Sequence, residues 1–429
     1  MVTLRLITKK QITMGKSTHF IGQPLFSQVI KLIGREKIRR ISHELGGERY
    51  VKRFDCWTHL VVMLYAVIMR FDSLREIAAS MQAEARKLCH LGIRMMPSRS
   101  TLADANKRRP SEIFEAIYRY LYATYRQRLS SDSRRGGTPK WMKSLRIIDS
   151  TTVTLFSNLL FKGAGRNPKS GRKKGGIKVH TVIHANEGVP SDIRFTSAAT
   201  HDSFMLRPAD MLSKGDIVAM DRAYMDYGKL EEITRIGAFY VTKMKKGLRY
   251  EILDDTMWQT PCGLAAVRLR RVRFTKQRPD GSRIEHEARI ITYPDAEKHK
   301  LVSLLTNDME AAPEEIIAIY RQRWEIELLF KQIKQNFPLR YFYGESANAI
   351  KIQIWVTLIA NLLLMVMRSG LTRPWSFSGL ATMVRVTLMY YVDFYSLFNQ
   401  PDKDWKNILS SISEGPHEPS LFDEGAWKT

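Results

Sequence analysis

The stretch 311–336, AAPEEIIAIYRQRWEIELLFKQIKQN, constrains the fold most, because its pattern predicts one long amphipathic helix. Pro313 suits the first helical turn, and the two glutamates after it suit the positive end of the helix dipole. Four apolar side chains fall on one helical face, which should pack on a core: Ile326, Leu329, Phe330 and Ile333. We therefore expect the chain to fold around this helix.

A polar stripe adjoins that apolar face. It consists of four residues separated by 3, 4 and 7 positions: Tyr320, Arg323, Glu327 and Lys334. This spacing lines up their side chains along the helix. One carboxylate flanked by an arginine, a lysine and a phenol is unusual on a solvated face. The stripe suits a surface that holds a metal ion beside a phosphate backbone.

The complete pattern, Y-x2-R-x3-E-x6-K, resembles the signature of a large branch of bacterial insertion-sequence transposases. Members of that branch are cut-and-paste DDE enzymes, so the resemblance implies an α/β RNase H-like (retroviral-integrase-like) catalytic core. It also implies that Tyr320, Arg323 and Lys334 contact transposon-end DNA near the active site. The protein would then work as a homodimer that holds two DNA ends together.

The charge balance favours an acidic polymer as the partner. The 429 residues include 68 Lys and Arg against 43 Asp and Glu, which gives a formal charge of +25. Such a charge suits double-stranded DNA or an anionic membrane surface. Membrane spanning is disfavoured because the most apolar run, 352–367, is too short and contains Gln353 and Asn361.

The N-terminal sequence does not predict export. Residues 1–20 lack a sustained apolar run and a small-residue cleavage site. Three scattered cysteines argue against a disulfide framework or a zinc site: Cys56, Cys89 and Cys262. We therefore expect a reduced, cytoplasmic protein, associated with the bacterial nucleoid.

Changes of pattern along the chain predict its domains. Helical spacing gives way to strand patterns after a polar Gly/Ser/Arg linker, and strands continue without helix before the glutamate helix. The expected segments are an all-α N-terminal DNA-binding domain (1–126), the linker (127–140), a first part of the catalytic core (141–243), an inserted β-rich subdomain (244–300), a second part of the core (301–370), and a helical segment with a loose tail (371–429).

One N-terminal segment suggests DNA contact. A short polar turn at 96–100 precedes a helical pattern at 101–109. This arrangement fits the second helix of a helix-turn-helix pair, and it also fits a charged surface helix in an ordinary bundle. The basic balance favours the first interpretation. We expect the helix to expose Arg99, Asn106, Lys107, Arg108 and Arg109.

Two further carboxylates follow apolar runs that should be buried strands. Asp149 ends the run LRIID, and Asp221 ends the run DIVAMD. An aspartate at such a place is by itself more often a turn former or a helix cap. With Glu327, however, the two aspartates form an ordered set of three in a basic protein. Carboxylate oxygens are the ligands that Mg²⁺ prefers.

The expected chemistry is two-metal cleavage of a phosphodiester. Two Mg²⁺ ions about 4 Å apart can neutralise the phosphate, activate water or a 3′-hydroxyl, and stabilise the leaving oxygen. We expect Asp149 to bridge both ions while Asp221 and Glu327 each hold one, and Mn²⁺ to substitute. The motifs IDSTT and DRAY extend the family resemblance over about 145–336. Arg222, within DRAY, joins the expected DNA contacts.

The loop 162–178, KGAGRNPKSGRKKGGIK, carries seven basic residues and no acid. A flexible solvated loop is the simplest interpretation. Because the loop is Gly-rich and follows Asp149, it could instead wrap phosphates, and we favour DNA contact without base specificity. The residues expected to make it are Arg166, Lys169, Arg172, Lys173 and Lys174.

Smaller features carry weaker expectations. Trp324 should pack against the sheet. The pair His201-Asp202 could touch the metal site or a scissile phosphate, but we favour an Asp202 that caps a helix beside a structural His201. Some relatives carry an aromatic residue, shortly before the glutamate helix, that stacks on a flipped base. Val302 or a neighbour occupies that place here, and Trp258 is the only tryptophan of the β-rich insertion. Base stacking and hairpin formation are therefore in doubt.

Two alternatives compete with a transposase. An RNase H-like nuclease would cut DNA without joining it, and the detection of strand-transfer products would exclude it. A transposition inhibitor would bind element ends without catalysis. The presence of all three carboxylates disfavours this second alternative, because a decayed copy would be expected to lose them.

Overall fold

The computed structural model describes the chain in these stretches: 23–88, 91–93, 95–130, 139–154, 176–259, 266–277, 281–295, 299–403, 406–407 and 409–410. Its N-terminal part is helical. The helices are α1 (Leu25–Lys31), α2 (Arg35–Glu44), α3 (Cys56–Met69), α4 (Leu74–Ala83), α5 (Ala85–Leu88), α6 (Arg99–Arg108) and α7 (Ser111–Leu129). Helix α3 is apolar all round and buried almost throughout, as expected of a central helix.

The middle of the chain forms a mixed β-sheet. Its strands are β1 (Leu145–Thr154), β2 (Gly176–His184), β3 (Pro190–Ser197), β4 (Ile217–Met220) and β5 (Phe239–Lys243), followed by β6 (Glu251–Gln259), β7 (Ala266–Gln277), β8 (Arg283–Asp295) and β9 (Lys300–Thr306). Strands β1, β4 and β5 are parallel, and β2 pairs antiparallel with both β1 and β3. The core order β3-β2-β1-β4-β5 gives the expected RNase H-like core.

The β-rich stretch extends this sheet within the described residues. Strand β9 pairs with β5, and β8, β7 and β6 follow in that order, so the strands form one continuous sheet. The strand patterns of the insertion are therefore present, and they lengthen the core sheet. Two short helices lie on the connections of the core: α8 (Pro208–Met211) and α9 (Tyr227–Ile236).

The expected single helix over 311–336 is interrupted once. It consists of α10 (Pro313–Gln322) and α11 (Trp324–Asn336), and the turn between them lies at Arg323. The Arg323 N–H bonds to the carbonyl of Tyr320, three residues back, which tightens the turn. Helix α10 packs against β4 and β5, and α11 packs against β1. The three predicted core residues of α11 that are buried are Ile326, Leu329 and Ile333.

Helix α12 (Ala347–Arg368) joins the N-terminal helices to the core. It packs against α3, α7, α11 and α13 (Phe377–Thr387), and α14 (Phe394–Asn399) follows. In the described part of the chain it is the one helix long and apolar enough to cross a membrane, and 89% of its apolar window is buried inside the protein. Of its interior amides, Gln353 donates to the carbonyl of Pro338, and Asn361 accepts through Oδ1 from Gln332 while its Nδ2 is buried without a partner among the described residues.

The sheet is covered on both faces. Adjacent residues of β1 point to opposite sides, so that Ile147 joins the apolar cluster of α11 and α12 whereas Ile148 joins the cluster of α9. The first cluster continues into the N-terminal helices without interruption. The polar part of β1, which begins at Asp149, therefore lies between two packed layers.

Candidate active site

Strand pairing brings the two aspartates together. Ile148 of β1 lies opposite Met220 of β4, so Asp149 and Asp221 occupy the next positions of two adjacent parallel strands. Asp221 directly follows β4 and caps the next short 3₁₀ helix, because its Oδ1 accepts a hydrogen bond from the N–H of Ala223 at 2.9 Å. Asp149 lies within β1, whose pairing with β2 continues beyond it to Thr154. The expected strand end at Asp149 is therefore five residues too early.

The third carboxylate, Glu327 of α11, is linked to Asp149 of the sheet by Arg323. The guanidinium of Arg323 donates from Nη2 to Glu327 Oε1 at 2.6 Å and from Nη1 to Asp149 Oδ2 at 3.4 Å. Its side chain is only 13% exposed. The expected stripe is thus present, and its arginine bridges a carboxylate of the helix and a carboxylate of the sheet.

The electrostatics of Asp149 reflect this crowding. The pKa of Asp149 is raised to about 6, chiefly by burial, and the nearby charges of Asp221 and Glu327 contribute to this rise. The N–H of Ser150 and the Arg323 guanidinium act in the opposite direction and partly offset burial. A partly desolvated carboxyl among two others has a large capacity to attract a cation.

The other two stripe residues also face the site. The ring of Tyr320 lies 5.7 Å from the Arg323 guanidinium, and burial raises the pKa of this tyrosine. Lys334 Nζ donates to the hydroxyl of Thr151 at 2.5 Å, and burial lowers the pKa of this lysine. Arg222 follows Asp221 directly, and its charge also acts on Tyr320.

The donor chemistry fits a divalent metal ion. The three carboxylates offer hard oxygen ligands at one edge of the sheet. Across the described residues, however, no three His, Cys, Asp or Glu side chains are grouped closely enough to hold an ion. The Arg323 guanidinium lies against both Asp149 and Glu327. The three carboxylates therefore fit a divalent metal by their chemistry.

A polar network beside Asp149 was not predicted. Ser150 Oγ donates to Asp202 Oδ1 at 2.8 Å, and Lys178 Nζ lies 3.3 Å from the same oxygen. The expectation that Asp202 caps a helix is wrong: His201 is the cap, and its Nδ1 accepts from the N–H of Ser203. Asp202 is instead the first residue of a short 3₁₀ helix, Asp202–Met205, in the connection after β3.

The site opens into a cleft of about 1590 Å³, which we call the carboxylate cleft. Asp149 and Glu327 line one part of it. Farther out it is lined by Arg70, Lys331, Arg340 and Tyr341. Sequence reasoning missed the outer residues, since Arg70 is distant in sequence from every motif.

Helix α6 differs from its expected exposure. Arg99, Lys107 and Arg108 are exposed. Asn106 and Arg109 are buried, which contradicts the expectation for both. Asn106 Oδ1 bonds to His59 Nε2 at 2.8 Å, and Arg109 donates to the carbonyls of two residues: Gly47 and Phe54. These polar groups satisfy buried partners and are therefore unavailable to a ligand.

The tryptophan expectations also change. Trp324 does not pack against the sheet, because its side chain is 56% exposed on the outer face of α11. Trp258, on the edge strand β6, is 40% exposed and donates its indole N–H to Glu314 Oε1 at 2.9 Å. Val302 is buried, so this aliphatic position offers no exposed stacking surface.

The basic loop lies mostly outside the described residues. Its five predicted DNA contacts are among the residues not described: Arg166, Lys169, Arg172, Lys173 and Lys174. Lys178 begins the described part, in β2, where it approaches Asp202. The segment connects the end of β1 at Thr154 to the start of β2 at Gly176, and these two residues pair with each other five positions beyond Asp149.

Comparison with known proteins agrees with this geometry. The family model "Transposase DDE domain" matches residues 140–363, and a domain of unknown function, DUF4372, matches residues 21–94. A protein of Sinorhizobium fredii (strain NBRC 101917 / NGR234), named as transposase y4zB, is 30% identical over 63% of this chain and 71% of its own length. A protein of Geobacillus stearothermophilus, named as a transposase for insertion sequence element IS5377, is 24% identical over 89% of this chain and 92% of its own length.

A solved structure was also found. The cryo-EM synaptic complex of piggyBac transposase with hairpin DNA covers 94% of this chain and 88% of its own, at 9% identity and a TM-score of 0.43. The family model spans more than half of the chain, and it includes all three carboxylates. The chain therefore belongs to the DDE transposases of bacterial insertion sequences, which are divalent-metal-dependent enzymes that cleave DNA and join its strands.

Proposed function

We propose that this transposase cleaves at the terminal inverted repeats of its own element, with Asp149, Asp221 and Glu327 as its catalytic carboxylates. The observation that carries the proposal is the bridge of Arg323 to Asp149 and Glu327. It joins two distant parts of the sequence at one edge of the sheet, next to Asp221. The 3′-hydroxyl ends released by cleavage would then be joined to target DNA.

The same carboxylates would hold the metal, as two Mg²⁺ ions that Mn²⁺ can replace. When bound, the ions neutralise the phosphate oxygens and lower the pKa of the attacking water or hydroxyl. Asp149 is central, since it lies between Asp221 on the neighbouring strand and Glu327 on the helix. A bound cation would favour the ionised form of Asp149 and offset its repulsion from the other two carboxylates.

The remaining residues of the stripe would position the DNA. Arg323 can exchange its two carboxylate partners for a phosphate, since a guanidinium binds both kinds of oxyanion in the same geometry. Lys334 holds the Thr151 hydroxyl at the same edge and can turn to a neighbouring phosphate. Tyr320 and Arg222 would complete the contacts near the cut bond. Tyr320, Arg323 and Lys334 form the Y-R-E-K pattern together with Glu327, and Arg222 belongs to the DRAY motif.

DNA binding would extend over a wider surface. In the N-terminal helices, Arg99, Lys107 and Arg108 are exposed on α6 and would contact the element end. The basic loop 162–178 would add phosphate contacts beside the cut bond. We also propose the domain division given above and a homodimer that holds two ends together, because cutting and joining both ends of an element requires two sites.

Cleavage and joining of labelled DNA that carries the element's own ends would test the assignment. Glu327→Ala should lower the rate at least about 100-fold while DNA binding persists, because even residues behind metal ligands contribute 10–100-fold. The matched control is Glu325→Ala, an exposed carboxylate of the same helix, which should cut like wild type.

Each other result has a distinct meaning. If Glu327→Ala cuts as well as wild type, the carboxylate assignment is wrong. Cutting without joined products would favour a nuclease. Binding by wild type with no reaction in Mg²⁺ or Mn²⁺ would favour an end-binding inhibitor.

A further inference from the structure

We propose that the outer wall of the carboxylate cleft is a binding site for the DNA strand being cut at the element end. The wall consists of Arg70, Lys331, Arg340 and Tyr341. The cations would contact successive phosphates, and the Tyr341 ring would pack on a sugar or base. This inference rests on the proposed function, since it needs DNA at the carboxylates.

The charges of this wall are available. Arg70, Lys331 and Arg340 are exposed, and within the described part of the chain none of them lies within ion-pair distance of a carboxylate. The acidic residue at the rim, Asp72, is also exposed and is not paired with them there. Unpaired cations beside a cleft attract a polyanion, and each contact with a phosphate releases counterions.

The segment that carries Arg340 and Tyr341 is held rigidly from behind. Gln353, fully buried in α12, donates its Nε2 to the carbonyls of Pro338 and Tyr341 at 2.8 and 2.7 Å. Its Oε1 accepts from the N–H of Tyr343 at 2.8 Å. Tyr341 itself is 46% exposed. A surface fixed in this way loses little conformational entropy on binding.

The other side of the wall is tied to the same body. The Tyr343 hydroxyl donates to the carbonyl of Phe71 at 2.6 Å, just after Arg70. Arg385 of α13 donates to the carbonyl of Ile68 at 3.0 Å and to that of Asn336 at 3.1 Å. It therefore fastens the end of α3 to the end of α11. The N-terminal helices and the catalytic helix thus present their cations from one fixed surface.

The junction of α3, α11 and α13 carries more positive than negative charge. Burial lowers the pKa of Arg385, and the nearby charge of Arg70 lowers it further. Two like charges near one another favour an anion between or beside them. A phosphate backbone passing from the carboxylates along the cleft would supply that anion. Tyr341 provides an aromatic face, which stacks on nucleotides without sequence preference.

The test measures binding without metal, so that chemistry cannot contribute. Anisotropy of a labelled duplex that carries the terminal repeat and spans the cut position would be followed in EDTA against KCl concentration. For Arg70→Asn with Arg340→Gln, the slope of log affinity against log salt should fall by roughly 2, since each phosphate contact contributes about 0.9. Asparagine suits position 70 because Arg70 has a left-handed backbone, with φ 61°.

Two controls make the result specific. Lys331→Gln with Arg340→Gln avoids the left-handed position and should lower the slope equally. Arg271→Gln with Arg273→Gln removes the same charge from β7, where both arginines pair with Glu287, and should leave the slope unchanged. A slope that is unchanged in the cleft variants, or that falls equally in the β7 variant, would overturn the proposal.

Two further experiments distinguish element-end DNA from target DNA and binding from cleavage. A random-sequence duplex stands in for target DNA, and a loss confined to that duplex would also overturn the assignment to the cut strand. Iodouracil placed near the cut bond should crosslink to wild type at Tyr341, and not to Tyr341→Ala. These measurements need no cleavage. They can therefore contradict the cleft proposal while the Glu327 assignment stands, and the Glu327 assignment can fail while they support the cleft proposal.

Discussion

Two arginine-rich regions of this protein use the same side chain for different purposes. On β7, Arg268 pairs with Asp255 at 2.5 Å, and Arg271 and Arg273 pair with Glu287 at 2.7 and 2.8 Å. At the carboxylate cleft, Arg70 and Arg340 have no such partner within the described residues. A run of arginines in the sequence therefore does not locate a nucleic-acid surface, because cross-strand acids can neutralise it.

The carboxylates of the two regions differ in the same way. Hydrogen bonds from arginines hold the pKa values of Asp255 and Glu287 below their usual range. Asp149 has its pKa raised, because burial and two neighbouring carboxylates outweigh Arg323. In the β-rich extension these acids and arginines thus neutralise one another. At the cleft, the carboxylates need bound cations and the arginines need bound anions to be neutralised. Three measurements would break or sharpen this comparison.

The largest difference should lie between two adjacent arginines, the last residue of α6 and the residue that follows it. Arg109→Met should lower the free energy of unfolding by about 2–4 kcal/mol, because two buried carbonyls lose their donor. Arg108→Met removes the same charge from an exposed side chain that pairs with Asp104, and should cost under about 0.5 kcal/mol. Urea unfolding of both variants measures the difference. Equal losses would show that burial does not decide the role of an arginine here.

The next effect concerns pH. A carboxyl whose pKa is higher in the folded state binds more protons when folded, so stability falls as pH rises from about 4 to about 6. Asp149 should therefore cost up to about 3 kcal/mol at pH 7 without metal. Asp149→Asn should be more stable than wild type at pH 7 in EDTA, and the gain should vanish near pH 4.

Glu287→Gln should show the opposite sign. A carboxyl whose pKa is lowered stabilises the fold above its unfolded pKa, and that contribution disappears as pH falls through the folded value. The variant should thus lose stability at pH 7 and match wild type in acid. Thermal unfolding across pH 4–7 measures both variants. The same sign for both would contradict the electrostatic contrast between the two regions.

The smallest effect should come from the exposed pairs of β7. A double-mutant cycle of Arg271→Gln and Glu287→Gln should give a coupling that shifts the unfolding midpoint by less than about 2 °C and vanishes at high salt. A large, salt-independent coupling would mean that β7 depends on its ion pairs for folding. Paired arginines would then be structural, as Arg109 is.

Periodicity predicted most of the elements, since it reports which positions face a core. The apolar face of α11, the strands around Asp149 and Asp221, and the buried α12 all follow from local patterns. Exposure of polar residues was less predictable. Asn106 and Arg109 lie in a basic helix, yet their partners come from α3 and from the loop before it. No pattern within α6 contains that information.

The site divides in a similar way. The Y-R-E-K residues extend from α10 through the turn at Arg323 into α11, and their spacing depends only on helical geometry, so the sequence placed those side chains on one stripe. That Arg323 bridges to Asp149 depends on how α11 packs against β1. Trp324 lies in the same helix, and its exposure arises because the sheet is covered by the opposite face.

By itself, the sequence determined the family, the order of the carboxylates and the alternation of helices and strands, because these depend on residue types at short spacing. Only the tertiary structure decided which charges are paired. Arg70, Lys331 and Arg340 come from separate segments, and they share one cleft because Gln353, Tyr343 and Arg385 fasten those segments together: 68–71, 336–343 and α12–α13. Contacts between segments that are distant in sequence leave no periodic signal, and packing alone brings them together.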